Sequence, residues 1–197
     1  MKVSVSKKAI SRYNSVAIIL HWLMAIGFFA MFGSGIIMTY ADIEKSLQFN
    51  VYQLHKSGGV LLLIAFILRI SWRLISYRLD QIPPLPSSFS RMEVIAAKLG
   101  HWMLYILMIA MSVSGWVMVS ASVYGLPIIV FGWFEWPHIP NLQGNESVEG
   151  LAKEAHFYLA ILFGLTIATH IAAVVKHAMI DKINLMPRMW WCKTNGN

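Results

Sequence analysis

Four stretches of the chain, residues 16–40, 52–74, 94–123 and 155–178, are almost wholly apolar. Each exceeds the ~20 residues that an α-helix needs to cross the hydrocarbon core of a bilayer. Only helices and closed barrels satisfy their backbone polar groups in lipid. None of the four stretches alternates polar and apolar residues, so the pattern predicts four transmembrane helices. The first is too long and too uniformly apolar for the core of a signal peptide and counts as a span of the mature protein. The predicted fold is an all-α, multi-pass four-helix bundle, with residues 1–197 as a single membrane domain.

The connections add detail. Pro83, Pro84 and Pro86 break the chain between the second and third spans. The longest connection, residues 124–150, holds an apolar, Trp-bearing run at 126–137 that is too short to cross. It is expected to lie as an interfacial or re-entrant cap over one end of the bundle. Nowhere outside the spans is there room for a nucleotide-binding fold, so any chemistry sits in the bundle or at its rims.

Composition supports the membrane reading: 57% of residues are hydrophobic, 13% are charged and the mean hydropathy is +0.60. A soluble domain is nearer a quarter charged. The net charge of +7 would suggest nucleic acid in a soluble protein, but its distribution says otherwise. Thirteen of the 16 basic residues fall in the N-terminal tail (Lys2, Lys7, Lys8, Arg12), around the second connection (Arg69, Arg73, Arg78, Arg91, Lys98) or toward the C-terminus (Lys176, Lys182, Arg188, Lys193). The opposite side keeps Lys45, Lys56 and Lys153 against Asp42, Glu44, Glu135, Glu146, Glu149 and Glu154. Excess Lys and Arg mark the cytoplasmic face, so both termini are expected in the cytoplasm and no nucleic-acid partner is expected. The single cysteine, Cys192, excludes an intrachain disulfide, and the lack of C-x-x-C-H excludes covalent c-type haem attachment.

Histidines are the candidate chemistry. Of the seven, His21, His55, His101, His156, His170 and His177 lie in or at the edge of a span, whereas His138 lies in the long connection and reads as an ordinary loop residue. One such residue could be polar glue between helices; six across four helices point to a functional site. His156 and His170 share the fourth span at a separation of 14 residues, which places them on one face ~21 Å apart. One metal ion cannot bridge them, but two stacked haems could each take one. Counting depth from the span ends pairs His21 with His170 for an inner haem and His55 with His156 for an outer one, imidazole being an established axial ligand. His101, also on the inner side, is the rival to His21; its other readings are a propionate contact, a quinone hydrogen bond or polar glue. His177, two turns beyond His170, is a candidate quinone or propionate contact or simply a solvated residue.

Small and basic residues surround these positions. Gly58, Gly59 and Gly164 read as clearance for a flat cofactor, whereas for Gly33, Gly35 and Gly115 ordinary helix packing competes equally. Lys56 and Lys153 stand beside the outer candidates and could pair with haem propionates or attract a small anion, or simply snorkel. Arg69 and Arg73 could pair with inner propionates or only enforce orientation.

Taken in order, these features resemble the bacterial cytochrome b561 family, relatives of the haem-carrying membrane subunits of nickel–iron hydrogenases. They are His21-Trp22, the run from Leu54 through His55, Lys56 and Ser57 to Gly58-Gly59, the run from Leu68 to Arg73, Leu99-Gly100-His101, Val130–Phe134, Ala155-His156-Phe157, and His170 with His177. The resemblance implies an inner-membrane protein with two b-type haems on His21, His55, His156 and His170, exchanging electrons with the quinone pool (ubiquinone or menaquinone). One similar branch oxidises superoxide at the outer face and reduces ubiquinone. Two other readings stay open: a haem-bearing anchor for a soluble dehydrogenase or reductase partner, and a non-redox bundle in which the histidines are glue or proton carriers.

Overall fold

A computed structural model describes residues 12–191; Lys2, Lys7, Lys8, Cys192 and Lys193 lie outside the described residues. The elements are α1 (Ser15–Tyr40), α2 (Lys45–Arg78), α3 (Arg91–Ala121), the strands β1 (Ile128–Val130) and β2 (Phe134–Trp136), α4 (Glu146–Met179) and a closing 3-10 turn (Met186–Met189). All four helices are long and apolar enough to cross a membrane. Their outward side chains suit a lipid surround: Ile26 is 67% exposed and Leu165 62%.

α1 packs mainly on α2 and α3 mainly on α4, and the two helical hairpins meet along α2 and α3. The central core joins Met24 and Phe28 of α1, Leu62 and Ala65 of α2, Leu107 and Met108 of α3, and Phe163 of α4. Phe163 meets Phe28 edge-on with ring centres 4.8 Å apart. The two are sequence-distant aromatics that lock α4 to α1 midway along the bundle.

Three helices run past the apolar stretches because their ends find polar partners. α4 starts nine residues early, at Glu146, where the Asn145 side chain accepts from the Val148 N–H and Glu146 and Glu149 favour the positive end of the helix dipole. α3 opens on a capping box in which Ser90 Oγ accepts from the Glu93 N–H and the Glu93 carboxylate accepts from the Ser90 N–H. α2 begins at Lys45, whose ammonium donates to Gln48 Oε1 on the next turn.

At the end bearing the termini, Asn14 is a hub. Its Oδ1 accepts from the Ala17 N–H at 2.9 Å and from Trp72 Nε1 at 2.8 Å, and its Nδ2 donates to Ser76 Oγ and Gln81 Oε1. One residue thus caps α1 and fastens it to the end of α2. The C-terminal turn closes over this end: Trp22 Nε1 donates to the Met189 carbonyl at 2.7 Å, and Arg188 donates to the carbonyls of Pro83 and Pro84.

The opposite end is covered by β1 and β2, an antiparallel pair with Val130 opposite Phe134 and Ile128 opposite Trp136. The cap is therefore a β-hairpin. The β-branched run Ile128-Ile129-Val130 alternates inward and outward: Ile128 and Val130 are 3% and 0% exposed, Ile129 51%. The turn uses left-handed Phe131 (φ 47°) and Gly132 (φ 76°). Val60 and Val119 receive the inward side chains, and the Ser57 hydroxyl, shared between the Gln53 and Ile129 carbonyls, accepts from the Phe131 N–H.

Candidate functional site

The bundle brings its membrane histidines into two groups. Toward the hairpin end, His55 of α2 and His156 of α4 face each other across the interior, ring centres 6.3 Å apart and planes at 77°. Each is held by a helix of its own hairpin. Ser34 Oγ of α1 lies 2.8 Å from His55 Nδ1, and Ser114 Oγ of α3 lies 2.9 Å from His156 Nδ1. The residue after each serine is glycine. A Cβ at Gly35 would stand 3.5 Å from His55 Cε1, and one at Gly115 would stand 3.2 Å from His156 Cε1. Both Nδ1 atoms are bonded, so the nitrogens left over are the Nε2 pair.

This geometry can be tested against a haem. Two imidazoles on opposite sides of one metal, each bonded at ~2.0 Å and with ~1.1 Å from ring nitrogen to ring centre, have centres ~6.2 Å apart. The observed separation matches, and hydrogen bonds to the second nitrogen are what orient a metal-bound imidazole. The hairpin-end pair fits a bis-imidazole haem.

Toward the termini end, three histidines gather. The rings of His101 (α3) and His170 (α4) lie 5.5 Å apart at 79°, and His21 of α1 lies at the same end beside Arg69. His101 Nδ1 is bonded to the carbonyl of Ala97. His21 Nδ1 faces an Arg69 guanidinium nitrogen at 3.4 Å. Arg73 donates to the Tyr13 hydroxyl and lies over its ring. His101, with Nδ1 on a carbonyl, keeps Nε2 for a metal; a guanidinium can only donate, so His21 would offer Nε2 to iron only with Arg69 turned from its Nδ1, as it would be when paired with a propionate.

The structure redistributes several smaller roles. Gly58 and Gly59 face Met31 of α1; a Cβ at 58 would meet the Met31 sulfur at 2.7 Å, whereas one at 59 would make an ordinary contact at 3.8 Å. Gly164 stands 3.8 Å from Phe32, an ordinary contact, and Gly33 faces open space. Beside the imidazoles, a Cβ at Gly115 would crowd His156 Cε1 at 3.2 Å, and one at Gly35 would touch His55 Cε1 at an ordinary 3.5 Å. Lys56 is only 8% exposed and donates to the Pro127 carbonyl at 3.1 Å. Its ammonium anchors the hairpin from beneath and is no surface charge, whereas Lys153 is exposed, three residues before His156. His138 has both ring nitrogens buried without a hydrogen-bond partner among the described residues.

His177 sits at the termini end, 8% exposed, stacked on Phe89 at 4.6 Å and bonded through Nδ1 to Asp181 at 2.6 Å. Glu93, His177 and Asp181 are close enough to suggest a metal site. The Lys176 ammonium fills that role, lying 2.9 Å from Glu93 and 2.7 Å from Asp181. Beside that ammonium, the Asp181 carboxyl is held below its ordinary pKa.

The chain is similar to known proteins along most of its length. The family described as prokaryotic cytochrome b561 matches residues 12–191. "Cytochrome b561 homolog 2" of Escherichia coli (strain K12) is 35% identical over 178 residues, covering 90% of each chain. "Probable superoxide oxidase CybB" of Yersinia pestis is 29% identical over 184 residues, covering 90% of this chain and 95% of the relative. "Cytochrome b561 homolog 1" of Escherichia coli (strain K12) is 24% identical over 195 residues.

Proposed function

The chain belongs to the prokaryotic cytochrome b561 family, and on that premise we propose that it carries electrons from a donor at the hairpin face to a quinone near the termini face, using two b-type haems. It is a membrane cytochrome b electron carrier. The chain sits in the inner membrane with its termini in the cytoplasm. The observation that carries the proposal is the facing pair His55 and His156, spaced for two axial imidazoles.

The outer haem takes His55 and His156, and the inner takes His170 with His21. His101 as partner of His170 is a second reading, favoured by the 5.5 Å ring contact. When bound, haem iron supplies one-electron chemistry by passing between its ferric and ferrous states. The chain's own residues define what happens around it. His55 with His156 and His170 with His21 would each hold a haem through two imidazoles, and the one-electron chemistry supplied there would not require a donor to bind the metal. Arg69 offers a cation for an inner propionate. His101 and His177 are the quinone contacts at the termini end, and His177, steadied by Asp181, can hand a proton to a reduced quinone oxygen.

Superoxide is the donor favoured for this chain, by analogy with the Yersinia relative. Two superoxide ions give two dioxygen molecules and two electrons, and with two protons these convert one quinone to quinol. Rapid mixing of superoxide with the purified protein should yield one quinol per two superoxide consumed. Running ubiquinone and menaquinone in parallel identifies the acceptor. No superoxide-dependent quinol with either would remove this donor.

Lys153 is the exposed cation beside the outer site on a face otherwise rich in Glu, so it supplies the local attraction for an anionic donor. Lys153→Gln is expected to lower the second-order rate by ~2–10-fold at low salt and to flatten its dependence on ionic strength. A rate unchanged at every salt concentration would rule out steering by this residue.

A further inference from the structure

We propose that Ser34 and Ser114 are positioning residues that fix which nitrogen of each hairpin-end imidazole is free for iron, and through it set the reduction potential of that haem. This rests on the reading that His55 and His156 are its ligands.

A serine hydroxyl has one proton to donate and lone pairs to accept with. Ser34 Oγ donates that proton to the Met31 carbonyl at 3.1 Å, and Ser114 Oγ donates to the Met111 carbonyl at 3.0 Å. With the proton committed, each oxygen can only accept from the imidazole beside it. With the hydroxyl proton on those carbonyls, the contacts at 2.8 and 2.9 Å are donated by the rings, and the ring proton of His55 and of His156 is then on Nδ1. A neutral imidazole has one such proton, so Nε2 is left as a bare lone pair, the form that binds a metal.

The same device occurs twice, on different helices. Ser34 on α1 serves His55 and Ser114 on α3 serves His156; in each case the hydroxyl holds Nδ1, and beside Ser114 the glycine also keeps a Cβ from crowding His156 Cε1 at 3.2 Å. At the termini end the two histidines with a described Nδ1 partner differ: His101 Nδ1 meets a backbone carbonyl and His21 Nδ1 a guanidinium. The hydroxyls therefore act on one haem of the two.

A neutral acceptor on Nδ1–H makes the imidazole a better electron donor through Nε2, which favours ferric over ferrous iron. Removing it weakens ferric binding more than ferrous binding, so the potential rises. A tenfold change in that ratio is ~59 mV for a one-electron couple.

The test is potentiometric titration of the purified full-length haem protein, with low-temperature EPR of its ferric state. The hairpin-end component is identified as the one missing from His156→Ala. In Ser34→Ala and in Ser114→Ala this component should rise by about a tenfold ferric-to-ferrous ratio with an altered EPR line, while the other stays put. Ser34→Thr and Ser114→Thr, which keep the hydroxyl, should restore both readings. Unmoved potentials and lines in the two alanine variants overturn the inference, as does an equal shift of both haems. If one alanine variant does not fold, the other reads the same site. Wild-type protein without haem would refute the ligand reading itself, a result distinct from haem-loaded variants with unshifted potentials.

Discussion

His156→Ala should yield a folded membrane protein with one haem where the wild type has two. The imidazole it removes faces His55 at the spacing of two axial ligands, and no other histidine among the described residues has its ring against this pair. His170→Ala should remove the other haem and leave the hairpin-end one with its potential nearly unchanged, because the two positions are ~21 Å apart along α4. Each variant should lose about half the haem absorbance per polypeptide, and the double variant all of it. Pyridine haemochrome analysis against protein concentration checks the numbers. The same measurement separates the readings at the termini end: His21→Ala should lose the inner haem and His101→Ala should retain it. The reverse result would assign His101 as the ligand.

The second large effect comes from a residue with no chemistry of its own. Gly115→Val places a branched side chain where a single Cβ already stands 3.2 Å from His156 Cε1 and 3.5 Å from Nδ1. The ring must move off the axis that its Nε2 requires. Loss of an orienting neighbour costs ~10–100-fold in metal affinity, and displacement of the ligand itself costs at least that much. Gly115→Val is thus expected to purify with the hairpin-end haem depleted and its helical circular dichroism intact. Gly33→Val is the matched control: nothing lies within 4 Å of a Cβ at that position. It should keep both haems. Equal haem content in the two variants would show that the Gly115 contact does not constrain the ligand.

The sequence made the helices legible because lipid imposes a hard demand: ~20 apolar residues, with every backbone group satisfied internally. Depth was legible for a related reason. A position along a helix follows from counting 1.5 Å per residue, so His55 and His156 could be set level before any contact was known. Rotation about the helix axes was not legible, because it depends on how two helices meet. That is why Gly58 and Gly59, beside His55 in the chain, turn toward Met31, while Gly35, 20 residues away, faces the imidazole. For the same reason Lys56, adjacent to a candidate ligand, lies buried beneath the hairpin. The hairpin itself carried too short an apolar run to distinguish a strand pair from a re-entrant segment. Ser-Gly occurs at 34–35, 57–58 and 114–115, in the hairpin half of the first three spans, and the first and third of these serines reach an imidazole.

Everything at the site depends on the interior histidines holding iron porphyrin in two places. The direct measurement is the visible spectrum of the purified wild-type protein, oxidised and dithionite-reduced, with haem quantified per polypeptide. Two haems per chain with the sharp α-band of low-spin, six-coordinate b-type iron is the result expected. A colourless protein, or a single high-spin haem open to carbon monoxide, would contradict the account.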